Sequence, residues 1–501
     1  MNFLDAIQLV IQPFTLLVIV ASGIFGLFVG AMPGLTATMA AALLVPMTFY
    51  MDPVPAIGSI VTCSAMAIFA GDIPGAMLRI PGTPASAAYV DEAYKLGQRG
   101  QLSLVLSVNL LASVIGGIFG TIVLIFLAPQ LATVALQFST YEYFWLALIG
   151  LSAATVVSAA NPLKGLISLF LGLFLATIGL DVLTGYPRYT FGTVDLMGGI
   201  SLIAALIGLF AVAELFRKAT KIDQNLPPPE QVRGAILRPG LGVIRTYRRN
   251  VLRGSVLGTL LGILPGAGAD IAGWISYAVS RRFSKSPEKF GTGHVEGVVD
   301  ASASNNASLS GAYVPALVFG IPGDSITAIV IGVLLIKGMT PGPTVFTNSG
   351  DIVSAVFTVF ILANLLLIPL GLLAIRVAGR VLSVNQRILL PVILMFSVVG
   401  TFAVNNAIFD LWIVLFLGVV GWLMEDNDFP IAPMVLGLVL GKVVEESFVN
   451  SMIKSGGNLI NFVDRPIAAV LAAIFLAIWV IPLSLRLFGK ATRREGTGQG
   501  H

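Results

Sequence analysis

Apolar runs of about 18 or more residues recur along nearly the whole chain, parted by short polar stretches, and each can cross a hydrocarbon core about 30 Å thick. The pattern predicts spans near residues 9–32, 55–80, 102–128, 143–159, 163–180 and 196–216. It predicts more near 352–378, 388–404, 408–424, 431–444 and 466–487. Between Arg217 and Arg253 the pattern changes: nine Lys or Arg, a Pro227-Pro228-Pro229 run and no apolar stretch of spanning length. By the positive-inside rule this is the main cytoplasmic loop. It divides the chain into a first membrane repeat (1–216), a linker (217–250), a second membrane repeat (251–487) and a polar tail (488–501), the tail expected to be cytoplasmic and disordered.

Composition agrees. Of 501 residues, 56% are hydrophobic and 11% charged, and the mean hydropathy is +0.93, so too little polar sequence exists to cover these runs in a water-soluble fold. No Lys or Arg precedes Arg79, so the first run lacks the basic leader of a secretory signal and is expected to be retained. The net charge of +4 lies in loops beside apolar runs and points to no nucleic-acid partner. One cysteine, Cys63, excludes an intrachain disulfide framework and reads as a small packing residue.

Several apolar runs are interrupted. Pro-Gly pairs stand at Pro33-Gly34, Pro81-Gly82, Pro265-Gly266 and Pro322-Gly323. Pro removes a backbone donor and Gly weakens a helix, so each reads as a helix, a break and a half-helix. The breaks are repeated: GAMPGLTATMA from Gly30 matches GILPGAGADIA from Gly262 at an offset of 232, and RIPGTPASA from Arg79 matches GIPGDSITA from Gly320 at an offset of 241. Paired interrupted segments in two halves are the best sequence pointer to a carrier's site, because half-helix ends offer unpaired N–H and C=O groups at membrane depth. Arg253 before the third break and Arg281-Arg282 after it favour one membrane side for both, hence a re-entrant hairpin.

The most polar apolar run is 301–332, ASASNNASLSGAYVPALVFGIPGDSITAIVIG, with the Asn305-Asn306 pair, four serines before its Pro-Gly break and Asp324-Ser325 after it. Such a stretch is expected to leave the helix and to line a pathway or binding site. No Lys or Arg lies between Lys289 and Lys337, so an anion would be held by N–H groups, amides and hydroxyls. The candidate substrate contacts are Gly34, Thr36, Gly82, Thr83, Ser86, Gly266, Gly268, Asn305, Asn306, Gly323 and Ser325. Asp270, Asp300 and Asp324 are candidate partners for a coupling Na⁺ or H⁺, with no other metal or cofactor expected. Arg79 reads either as a substrate contact or as a helix-end arginine, and His294 as a solvated loop residue. No metal, phosphate-loop or Ser-His-Asp motif stands out, so no catalytic machinery is expected.

The chain resembles the large membrane subunit of the tripartite tricarboxylate transporter family at PGLTATMAAALLVPMTF (33–49), IPGTPASAA (80–88), LPGAGADIAGWISY (264–277), SKSPEKFGTGHVEGVVD (284–300), Asn305-Asn306 and GIPGDSITAIVIG (320–332). The resemblance implies a bacterial inner-membrane, ion-gradient-driven importer of small di- or tricarboxylates. A small membrane subunit and a periplasmic solute-binding protein would be its partners. It also implies an all-α polytopic fold of two repeated halves with broken helices or re-entrant hairpins, similar to elevator-type carriers. Two positions depart from the family's habit: Ser302 where an acid is frequent, and Arg79 where an Asn is frequent. Against this reading stand an intramembrane enzyme acting on a lipid-borne substrate, which needs convergent acid or metal-binding groups at membrane depth, and a channel, whose flux would not saturate.

Overall fold

The computed structural model describes residues 3–33, 35–158, 162–181, 184–219, 236–265, 268–382 and 386–495. The described residues are all-α apart from a two-stranded antiparallel ribbon, β1 (Gly179–Leu180) and β2 (Pro187–Arg188). The first half holds α1 (Phe3–Ile11), α2 (Pro13–Ala31), α3 (Ala37–Thr48), α4 (Pro53–Ala70), α5 (Asp72–Leu78) and α6 (Val90–Leu96). It continues with α7 (Leu102–Ala135), α8 (Thr140–Ser158), α9 (Pro162–Ala176), α10 (Leu202–Leu206) and, past a π-helical turn, α11 (Ala213–Ala219). The second half holds α12 (Leu237–Thr246), α13 (Arg248–Ile263), α14 (Gly268–Phe283), α15 (Val295–Phe319), α16 (Ser325–Ile336) and α17 (Val345–Asn348). After these come α18 (Gly350–Leu382), α19 (Gln386–Asn405), α20 (Ile408–Asp426), α21 (Ile431–Lys454) and α22 (Pro466–Glu495).

Among the described residues, five helical stretches are long and apolar enough to cross a membrane: Pro13–Ala31, Pro53–Leu78, Val90–Ala135, Gly350–Leu382 and Ile408–Asp426. The expected spans are found as helices, with three differences. The stretch 301–319 stays helical throughout, and the chain leaves the helix only at 320–324; its small residues let α7 and α13 approach α15 closely enough that its polar groups are buried without a break. Part of the expected linker is α12, which packs on α7, the site of Gly240 lying against Ser107. The expected disordered tail is helical to Glu495, continuing α22 through good helix formers such as Lys490, Ala491, Arg493 and Arg494.

The breaks fall where proline dictates them. A residue preceding Pro avoids the helical region, and both Met32 (ψ 126°) and Leu264 (ψ 118°) are extended, ending α2 and α13. The other two breaks begin with a left-handed residue, Arg79 (φ 61°) after α5 and Gly320 (φ 69°) after α15. In each the following isoleucine N–H reaches back to a proline carbonyl, Ile80 to Pro74 (3.4 Å) and Ile321 to Pro315 (3.2 Å). Glycine takes that conformation without strain, whereas an arginine does so at a cost of about 1 kcal/mol. Arg79 is therefore a helix-end residue; its guanidinium pairs with Asp91 at 2.7 Å on an exposed surface.

Glycine seams join the breaks to the helices behind them. A Cβ on Gly26 or Gly30 of α2 would stand 2.3 or 2.4 Å from the carbonyl oxygens of Cys63 and Ala67 on α4. A Cβ on Gly258 or Gly262 of α13 would stand 2.2 Å from those of Ser304 and Ser308 on α15. Without a hydrophobic drive between helices in lipid, such close backbone contact is a main source of association. Gly26→Val and Gly258→Val are each expected to lower the thermal midpoint of the detergent-solubilised protein, by about 1–3 kcal/mol of overpacking. Gly242→Ala, on an α12 position with no atom within 4 Å, should leave it unchanged or raise it.

Candidate functional site

Residues from all four breaks line one cavity of about 390 Å³. The first break supplies Thr36, the second Thr83 and Pro84, the third Gly268 and the fourth Asp324 and Ser325, while Asn305 projects from the middle of α15. Three helices of 12, 16 and 12 residues, α3, α14 and α16, begin at this cavity. The first N–H groups of a helix lack partners inside it and carry its positive dipole end, so each start turns a positive helix end toward the cavity, with some of its N–H groups taken by capping side chains.

Local chemistry fixes each start. Thr36 is extended and its Oγ1 accepts from the Met39 N–H (3.2 Å), capping α3. Asp324 and Thr327 form a reciprocal capping box on α16: Asp324 Oδ1 accepts the Thr327 N–H (2.8 Å) and Thr327 Oγ1 accepts the Asp324 N–H (2.8 Å). Thr83 and Ser86 bond each other's N–H groups, so Ser86 holds the second break in shape from outside the cavity lining. Gly268 (φ 51°) opens α14, and a Cβ there would stand 2.7 Å from Asp324 Cβ, so the third and fourth breaks touch. Trp274 Nε1 donates to the Pro84 carbonyl (3.0 Å), tying α14 of the second half to the second break of the first.

Asn305 is 2% exposed, and neither atom of its amide has a hydrogen-bond partner. Its neighbour differs: Asn306 Nδ2 donates to the Ala65 carbonyl on α4 (3.4 Å) and does not line the cavity. A helix turns about 100° per residue, so tandem side chains cannot share one face. Gly82 and Gly323 serve close packing, on Gly71 and Ala312 respectively. Asp300 sits deeper on α15 in a fork with Arg253 (Nε–Oδ1 2.9 Å, Nη2–Oδ2 2.7 Å), with Ser280 Oγ at 2.6 Å and Asn250 Nδ2 at 2.7 Å. These contacts bring the start of α13 and the end of α14 together, so the two helices form an antiparallel hairpin with its tip at the third break. Gly34 and Gly266 lie outside the described residues; Asp270 is in the first turn of α14.

The opposite wall, Phe210, Glu425, Pro430, Ile431, Ala432 and Leu436, comes from the π-helical turn, α20, α21 and the loop between those two helices. None of these was singled out from the sequence. The signal was present in MEDNDFP (424–430), a polar and proline-marked interruption of two apolar runs. Among the described residues no basic side chain lines the cavity, whereas two carboxylates, Asp324 and Glu425, do. Arg217 stands 3.7 Å from Glu425.

A polytopic helical membrane protein with a polar cavity at converging helix breaks has the form of a carrier. The sequence matches the profile of the tripartite tricarboxylate transporter TctA family over residues 16–436, and the chain belongs to that family. Its members are transporters, not enzymes: the large subunits of tripartite systems that also use a small membrane subunit and a periplasmic binding protein. The chain is 34% identical over 463 residues to an uncharacterized 52.8 kDa protein in the TAR-I ttuC′ 3′ region of Agrobacterium vitis, covering 92% of this chain and 91% of that one. It is 35% identical over 226 residues to an uncharacterized protein in the TAR-II ttuC′ 3′ region of the same organism, covering 45% of this chain and 93% of that one. No solved structure matches the chain.

Proposed function

We propose that this protein is the large subunit of an importer of small di- or tricarboxylates in a bacterial inner membrane. An ion gradient drives it, and a periplasmic binding protein and a small membrane subunit serve it. The observation that carries the reading is the meeting of four helix breaks and the unpartnered Asn305 amide in one cavity. In this reading Thr36, Thr83, Gly268, Asn305 and Ser325 contact the substrate, while Asp324 answers to the coupling Na⁺ or H⁺. Asp324 and Glu425 put negative charge on the cavity wall, and among the described residues only Glu425 has a cation beside it, Arg217 at 3.7 Å; an anion is favoured there when a cation enters next to Asp324, which supports coupling to a cation.

Two matched contacts support a structural repeat. Gly26 against Cys63 recurs as Gly258 against Ser304, and Gly30 against Ala67 as Gly262 against Ser308; glycines and partners are shifted by 232 and 241 residues, the same offsets that relate the break motifs. The α13–α14 hairpin is read as re-entrant. The broken helices would then move as a body against the α20–α21 wall, as in an elevator-type carrier.

The test is counterflow in liposomes containing the large and small subunits, with labelled citrate, succinate and tartrate as probes and with the binding protein present or absent. The expected result is saturable exchange of at least one probe and its accumulation under a Na⁺ or pH gradient. Flux that never saturates would mean a channel, and no exchange of any probe would remove the carboxylate reading.

A further inference from the structure

The buried carboxylate of Asp72 stands outside the roles assigned above. Asp72 opens α5, is 2% exposed and lies among the buried residues that run from Val54 to Met77. Its Oδ1 accepts the Tyr89 hydroxyl at 2.6 Å, and among the described residues it joins no ion pair. An unpaired carboxylate at membrane depth is expensive, and an apolar residue would fill the position more cheaply. The charge calls for a cation.

The surroundings lead from Asp72 to the cavity. Ser302 and Asn305 of α15 lie near the Tyr89 hydroxyl without a hydrogen bond to it, and Asn305 lines the cavity with its amide unpartnered. Ser302 Oγ donates to Asn109 Oδ1 at 3.1 Å, closing the far side. The polar groups thus lead from the carboxylate to the phenol and on to the amide at the cavity, and Tyr89 is the one side chain bonded to the Asp72 carboxylate among the described residues. A metal cation needs a shell of several oxygens, whereas a proton needs one oxygen, a bonded donor such as the Tyr89 hydroxyl and water to complete the step to the cavity.

No other charge competes for Asp72. Of the elements packed on α5, α2, α7 and the turn Ser86–Ala88 carry no ionisable side chain, and α4 brings only Cys63. On α6, Asp91 is held by Arg79, Glu92 accepts the Gly293 and His294 N–H groups, Lys95 donates to the Gly291 carbonyl, and Tyr94 accepts from Gln98. The ionisable groups of α18, Asp351, Arg376 and Arg380, form no ion pair with Asp72.

We infer that Asp72 carries the coupling proton of this transporter, exchanging it with the substrate cavity by way of Tyr89 and Asn305. The inference rests on the reading of the cavity as a carboxylate site. In the transfer, Tyr89 gives its hydroxyl proton to a carboxylate oxygen of Asp72 and takes one from a hydronium ion entering from the cavity on the Asn305 side, which is left as water. The phenol is unchanged, Asp72 becomes neutral, and the reverse path releases the proton. No bond of the substrate is made or broken.

Two measurements on the full-length protein in liposomes decide it. Infrared titration, with the proton itself as ligand, should show a neutral carboxylic acid band that Asp72→Asn removes and Tyr89→Phe, which deletes its hydrogen bond, shifts in frequency. In flux assays with the probes named above, Asp72→Asn should retain counterflow but lose accumulation driven by a pH gradient, and Tyr89→Phe should slow that accumulation at least tenfold. An Asp72→Asn protein that still accumulates substrate on a pH gradient, or a wild-type spectrum with the same carboxylic acid band as Asp72→Asn, overturns the inference. Failure of the wild type to exchange any probe would instead strike the carboxylate reading, and the infrared band would still report on Asp72. If Asp72→Asn does not fold, Tyr89→Phe alone decides through the same two readouts: an unshifted band with unslowed accumulation overturns the inference.

Discussion

Asn305→Ala is expected to cut substrate uptake by about 10- to 100-fold while the protein stays folded in the membrane. Its amide is buried, lines the cavity and has no partner within the protein; a hydrogen bond to a charged ligand contributes about 1.5–3 kcal/mol. Because the substitution deletes two unpaired polar atoms, its thermal midpoint should equal or exceed that of the wild type, a sign of stability given up for function. Asn306→Ala is the contrast. That amide faces the Ala65 carbonyl, so transport should change only a few-fold. Uptake rates in liposomes and a melting curve read both outcomes; undiminished uptake by Asn305→Ala would remove that residue from the site.

The second large effect concerns Arg253. Its guanidinium is the only described cation paired with Asp300, whose side chain is fully buried. Arg253→Met leaves that carboxylate uncompensated, and losing one partner of a buried pair costs about 3–5 kcal/mol. A marked drop in the yield of folded, monodisperse protein in detergent is expected. Removing the charge from both partners, Arg253→Met with Asp300→Asn, should restore much of the loss. If the single substitution melts like the wild type, the fork does not hold the hairpin's base together. As Asp300 is bound in this way and lies off the cavity, it fits a structural role better than an ion-coupling one.

The breaks were legible because proline and glycine act locally. Pro33 and Pro265 force the preceding residue out of the helix wherever they occur, and Gly320 takes a left-handed turn that the sequence alone permits. Thr36, Thr83, Gly268, Asn305 and Ser325 followed from the breaks and from the polarity of α15. What was not legible depends on distant partners. That Asn305 and not Asn306 meets the cavity is set by which faces of α15 are covered by α4, α7 and α13. Phe210 and Leu436 are apolar residues in apolar runs, without a mark of their own, and reach the cavity only through the packing of α20 and α21. Asp300 looked like Asp324 in sequence, since nothing local announces that Arg253, 47 residues earlier, will neutralise it.

The crossing of the two halves has a consequence for biogenesis. Every residue of α4 after Pro53 is buried, and part of its cover comes from α15, α16 and α18, made more than 200 residues later. Likewise α15 closes against α7, where a Cβ on Gly116 would stand 2.0 Å from the Ala303 carbonyl. While the ribosome is still translating the second half, α4 therefore lacks the part of its cover that α15, α16 and α18 bring, as at Gly58, where a Cβ would meet Val359 of α18 at 3.4 Å. The burial of α4 is thus completed only once α18 has been made, so the first half reaches its final packing late in synthesis.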